Sequence, residues 1–119
     1  GNMDELTTTG PNTVSHYQDG RVDTYILDPR EYGFHGASIS DLMGGDAPTN
    51  AAILRGVLDG TLRDAKRDIV LLNAGAAIYV GGKAGDIAEG IKIASEVIDN
   101  GGAVAKLDGL IAFTRQFVA

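Results

Sequence analysis

The sequence predicts an α/β chain built as one β-hairpin followed by about four helices. Three observations carry that prediction. Asp19-Gly20, the preferred pair for a two-residue type I′ turn, sits between two runs rich in β-branched and aromatic residues. Beyond residue 46, apolar residues recur at helical spacing. Glycines at 44–45, 60, 81–82 and 101–102 punctuate that pattern. At 119 residues the chain suffices for one small domain and not two. Hydrophobic residues make up 44% but aromatics only 6%, so the core must be built from Ala, Ile, Leu and Val.

The hairpin spans residues 13–27, with Thr13–Tyr17 and Val22–Leu27 as its strands. A two-residue turn at Asp19-Gly20 sets Tyr17 opposite Val22, His16 opposite Asp23 and Val14 opposite Tyr25. Asp28-Pro29 ends the second strand, because proline has no N–H for the ladder. Residues 28–46 mix Pro, Gly, Ser and Asp without a period and read as an irregular connection, with one helical turn around Ser40–Met43. A helix follows near 47–59, with Asp46 as N-cap, Pro48 in the first turn and Gly60 as its stop. Its apolar stripe is Ala51, Leu54 and Leu58, with Ile53 and Val57 beside it. Residues 65–81 are apolar for too long to be a strand and predict a helix buried nearly all round. A helix over about 86–99 places Ile87, Ile91, Ala94 and Ile98 on one face. The last helix, about 102–117, carries Val104, Leu107, Ile111 and Phe117 at helical spacing.

The formal net charge of −6 argues against a nucleic-acid or anionic-membrane partner, since phosphate binding calls for a basic surface. The absence of cysteine rules out disulfides, thiolate metal sites and cysteine nucleophiles. No apolar run reaches membrane-spanning length and no signal peptide opens the sequence, so a cytoplasmic protein is expected. The first residue is Gly1 and not Met, which suggests a piece of a longer protein.

The most polar chemistry lies in the first dozen residues. Asp4-Glu5 offers two hard carboxylates of the kind Mg²⁺ takes alongside water and substrate phosphate oxygens. In an extended strand adjacent side chains point to opposite faces, so both reach one site only if the backbone bends. From the dipeptide alone, a solvated acidic pair is the simpler account. Thr7-Thr8-Thr9-Gly10-Pro11 supplies hydroxyls and N–H groups for a phosphate or sugar, or is a β-branched strand entering a turn. His16 has a sufficient structural role opposite Asp23, and His35 lies in a Gly-flanked loop with no evident partner. Gly44-Gly45-Asp46 could present N–H groups to an anion, but a turn plus N-cap is favoured because Asp46 would repel that anion. Tyr79–Gly85 falls short of both nucleotide motifs: Val80 stands where a dinucleotide fingerprint wants Gly, and Ala77 and Ala84 stand where a Walker loop wants Gly and Ser or Thr. It reads as a helix-to-helix connection.

The order of segments is more specific than any one of them. Asp4–Thr13, then Gly44-Gly45-Asp46 with Asn50–Leu54, then Arg67–Ala74, then Gly102–Leu107 together resemble the C-terminal part of the anthranilate phosphoribosyltransferase family, across essentially all of residues 1–119. The resemblance implies a single segment of the large α/β domain of a phosphoribosyltransferase/nucleoside phosphorylase-like fold. It implies transfer of the phosphoribosyl group of phosphoribosyl pyrophosphate (PRPP) to anthranilate, with pyrophosphate released, in tryptophan biosynthesis. It further implies that Asp4 and Glu5 hold Mg²⁺, which reverses the simpler account of that pair. The family's glycine-rich PRPP loop, its Lys-His-Gly-Asn segment, its anthranilate-contacting arginine and its helical dimerisation domain belong upstream of the pair and are not in this sequence. The complete enzyme is then expected to be a homodimer, and residues 1–119 alone to be inactive and prone to self-association through uncovered apolar faces. The alternative is a non-catalytic relative, an interaction module on the same scaffold; a nucleoside phosphorylase fits these segments less well.

Overall fold

A computed structural model describes residues 3–118. Gly1, the basis of the expected upstream extension, lies outside the described residues. The turn forms as its residue pair demands: Asp19 and Gly20 both adopt positive φ, 51° and 78°. Strands β1 (Asn12–Gln18) and β2 (Arg21–Leu27) flank it as an antiparallel pair. The register pairs Tyr17 with Val22, His16 with Asp23 and Val14 with Tyr25, as expected. Of β2 only Leu27 is buried, so the hairpin joins the body at its root and projects its tip into solvent.

The connection after β2 is more ordered than its composition suggests. Pro29–Tyr32 forms a 3-10 turn capped by Asp28, whose carboxylate accepts the Arg30 N–H at 3.0 Å. Hydrogen bonds from the Arg30 side chain and backbone hold that carboxyl down at about 2. Helix α1 (Ile39–Leu42) is a single turn whose capping box joins Ser38 and Asp41.

Four longer helices follow: α2 (Ala47–Leu58), α3 (Ala65–Val80), α4 (Ile87–Asp99) and α5 (Gly102–Arg115). Asp46, Asp64 and Asp86 cap the first three with their carboxylates. The core joins Leu27 and Phe34 to Leu71 and Leu72 of α3 and Ile87, Ala94 and Ile98 of α4. Burying Leu72, which is fully enclosed, contributes on the order of 2–3 kcal/mol relative to exposure. Helices α3 and α4 meet backbone to backbone. A Cβ on Gly90 would lie 2.1 Å from the Gly75 carbonyl oxygen, and one on Gly75 would lie 2.6 Å from the Ile91 nitrogen.

Two details differ from expectation. In α2 the buried residue is Val57, while Leu54 of the predicted stripe is exposed and lines an open groove shared with α5, whose apolar residues do not close over it. In α5 no side chain is buried: Val104, Leu107 and Ile111 are half-covered, and Phe117 falls beyond the helix end at 74% exposure. No helix among the described residues is long and apolar enough to cross a membrane.

Candidate functional site

Residues 3–11, ahead of β1, belong to no helix or strand, yet from Leu6 onward they are held by hydrogen bonds to side chains. The chain bends at both Asp4 and Glu5, which meets the condition for adjacent carboxylates to serve one site. Both side chains are exposed and both line a cleft of about 590 Å³. Leu6, Thr7, Asn12, Thr13, Asn73 and Ala76 complete most of its wall. Asp4 and Glu5 are the only ionisable side chains among the described residues lining it, so no lysine, arginine or histidine of the wall offsets their charge. Two hard carboxylates with open space before them fit a divalent cation that keeps several waters. Among the described residues no group of three His, Cys, Asp or Glu side chains is placed to hold a metal ion.

Two asparagines fix the segment that follows. Asn73 of α3 accepts the Leu6 N–H at 3.0 Å through Oδ1 and donates to the Leu6 carbonyl at 2.8 Å through Nδ2. Asn12, at the start of β1, does the same for Thr7, at 2.8 and 3.0 Å. Sequence reasoning passed over both residues as chemistry. The signal was present for Asn73, a poor helix former amid the apolar residues of α3.

The threonines turn inward. Thr7 and Thr8 are buried, and the Thr9 N–H donates to Thr7 Oγ1 at 3.0 Å. The N–H groups of Thr7 and Thr9 are thus engaged within the segment and not offered to a phosphate. Thr8 donates nothing from its buried hydroxyl to a protein partner, while its carbonyl accepts the Ala37 N–H at 3.2 Å.

The remaining candidates lie elsewhere. His16 is outside the cleft wall and packs edge-on against Tyr79, ring centres 5.6 Å apart. His35 is exposed and near Asp68, whose carboxyl burial pushes up and the histidine pulls back. Gly44-Gly45-Asp46 is a turn plus cap: the Gly45 N–H is taken by Asn50 Oδ1 at 2.8 Å, and Asp46 accepts the Thr49 N–H at 3.0 Å. Within Tyr79–Gly85, Tyr79 and Val80 end α3 and the glycines from Gly81 onward open the connection to α4.

Residues 1–104 match the family model described as the glycosyl transferase family, a/b domain. An anthranilate phosphoribosyltransferase of Methanocorpusculum labreanum is 53% identical over 108 residues, which cover 91% of this chain and 32% of that protein. The enzyme of the same name from Acetivibrio thermocellus is 48% identical over 117 residues, 98% of this chain and 34% of its own. Among solved structures, the anthranilate phosphoribosyltransferase of Thermus thermophilus superposes with a TM-score of 0.84 at 37% identity, covering 95% of this chain and 33% of that one. The Saccharomyces cerevisiae enzyme in complex with 4-fluoroanthranilate gives 0.79 at 27% identity, over 89% and 31% of the two chains. The chain thus spans about a third of the length of the curated relatives it matches.

Proposed function

Because this chain belongs to the glycosyl transferase family, a/b domain, we propose that it is part of an anthranilate phosphoribosyltransferase and supplies that enzyme's metal-binding edge. The reaction joins the amino nitrogen of anthranilate to the ribose carbon of PRPP as the C–O bond to pyrophosphate breaks and pyrophosphate leaves. The observation that carries the reading is the bent Asp4-Glu5 pair facing a cleft whose described wall holds no cationic side chain.

Asp4 and Glu5 would hold Mg²⁺, which when bound offsets the charge gathering on the pyrophosphate oxygens. The chain's own contribution is to place carboxylates. Their exposure leaves them free to bind. The Asn12 clamp shapes the turn behind them, and burial of Thr7 and Thr8 roots that turn in the body. A cytoplasmic, homodimeric complete enzyme accompanies this reading, as the family resemblance implies.

The test is kinetic, in the complete protein. Asp4→Asn and Glu5→Gln are expected to raise the Mg²⁺ and PRPP concentrations needed for half-maximal rate, and to lower kcat/KM by at least about tenfold, a loss of about 1.4 kcal/mol in transition-state stabilisation. Unchanged Mg²⁺ and PRPP kinetics would remove both residues from the site.

A further inference from the structure

Asn73 is half-buried in the middle of α3, and its amide has no unused hydrogen. Beyond its two bonds to Leu6, Nδ2 donates to the Ile69 carbonyl one turn back at 3.0 Å. Asparagine is a weak helix former because its amide competes for backbone groups. Here that competition is put to use. Bonding both the N–H and the C=O of one residue is what a neighbouring β-strand does, and Asn73 does it for Leu6 with a side chain. Leu6 directly follows Glu5, and Asn73 lines the same cleft as both carboxylates.

The two asparagine clamps are not equivalent. Asn12 lies five residues from Thr7 and shapes a turn at the hairpin root, where its Nδ2 also reaches the Leu27 carbonyl at 3.4 Å. Asn73 lies 67 residues from Leu6 on a helix whose backbone is seated against α4 at Gly75 and Gly90. Of the two, Asn73 acts on Leu6, the residue next to Glu5, and ties it directly to α3. The geometry points to Asn73 as a positioning residue for the metal pair: it holds Leu6 to α3 so that Asp4 and Glu5 stay bent toward the cleft, without being a ligand itself. This inference rests on the assignment of Asp4 and Glu5 as metal ligands. Partners that orient ligands from behind commonly change metal affinity by about 10–100-fold.

The experiment is a Mn²⁺ titration of the complete protein with pyrophosphate present, read by the electron-spin signal of free Mn²⁺. The double variant Asp4→Asn/Glu5→Gln is expected to abolish specific binding. If it binds as well as the unmodified protein, the ligand assignment fails and this inference with it. Asn73→Leu, uncharged and of similar size, is expected to weaken Mn²⁺ binding about tenfold. Loss of binding in the double variant with full affinity in Asn73→Leu would overturn the positioning role and leave the ligand assignment standing. Ile98→Val thins the core at the far end of α4 and is expected to keep full affinity; an equal loss there would reduce the effect to general loosening and overturn the proposal. A measurement on the unmodified protein covers an Asn73→Leu that fails to fold. Coupling is reciprocal, so a clamp that favours metal must be favoured by it. Saturating Mg²⁺ is expected to slow exchange of the Leu6 amide hydrogen several-fold. An exchange rate unchanged by Mg²⁺ would overturn the inference.

Discussion

At the scale of single residues, the chain relies on polar groups whose partners are far away in sequence. Arg67 is 5% exposed and places Nη2 2.9 Å from Asp99 Oδ1 and 3.2 Å from Ser95 Oγ, while Arg63 reaches the same Asp99 oxygen at 2.8 Å. Hydrogen bonding from Arg67, then the nearby positive charges, hold the Asp99 carboxyl below its ordinary range. A depressed carboxyl means the folded state prefers the ionised form. The stabilisation is therefore fully present above the unfolded value of about 4 and disappears as pH falls through the lowered one. Asp99→Asn is expected to lower the thermal midpoint at pH 7, with the gap to the unmodified chain closing below about pH 4. A gap that stays constant on acidification would remove the charge from that account. This residue scale was the least readable beforehand. Asp19-Gly20 announces its turn because the backbone conformation is local. Asp4-Glu5 suggests a metal only through the resemblance of the surrounding segments; Asn73 stands out only as a weak helix former and Arg67 not at all, because what they bind is set by a fold they cannot encode alone.

At the scale of elements, periodicity located the helices well, since caps and apolar spacing are written within a few residues of each other. The faces were harder. In α2 the sequence offers two adjacent apolar stripes, and only the tertiary arrangement decides that Val57 goes inside and Leu54 does not. Glycines separate into those that matter to packing and those that do not. Gly90→Ala would drive a methyl to within 2.1 Å of the Gly75 carbonyl, a backbone atom that cannot swing away. The cost of overpacking, about 1–3 kcal/mol and at the upper end here, exceeds the gain of about 1 kcal/mol from better helix propensity. A net loss near 2 kcal/mol in denaturant unfolding is expected. Gly109 in α5 has nothing within 4 Å of its missing Cβ, so Gly109→Ala is expected to stabilise by up to about 1 kcal/mol. If both changes stabilise, the close α3–α4 seat is not real.

At the scale of the whole molecule, much apolar surface faces outward. Val22 and Ile26 on the hairpin are more than 60% exposed, as is Phe117 near the other end, which packs edge-on against exposed Phe113. A two-stranded sheet also leaves both its outer edges unpaired. The 119-residue chain is expected to self-associate as its concentration rises, measured by sedimentation equilibrium. Val22→Lys with Ile26→Lys should shift it toward monomer, and a chain that stays monomeric throughout would count against the expectation. The asparagine clamps also order events in time. The Asn12–Thr7 contact closes a loop of five residues, which costs little chain entropy and can form while the rest is unfolded. The Asn73–Leu6 contact spans 67 residues and waits for α3 to exist as a helix. The acidic pair therefore owes its place in the cleft to a contact that only the folded α3 can supply.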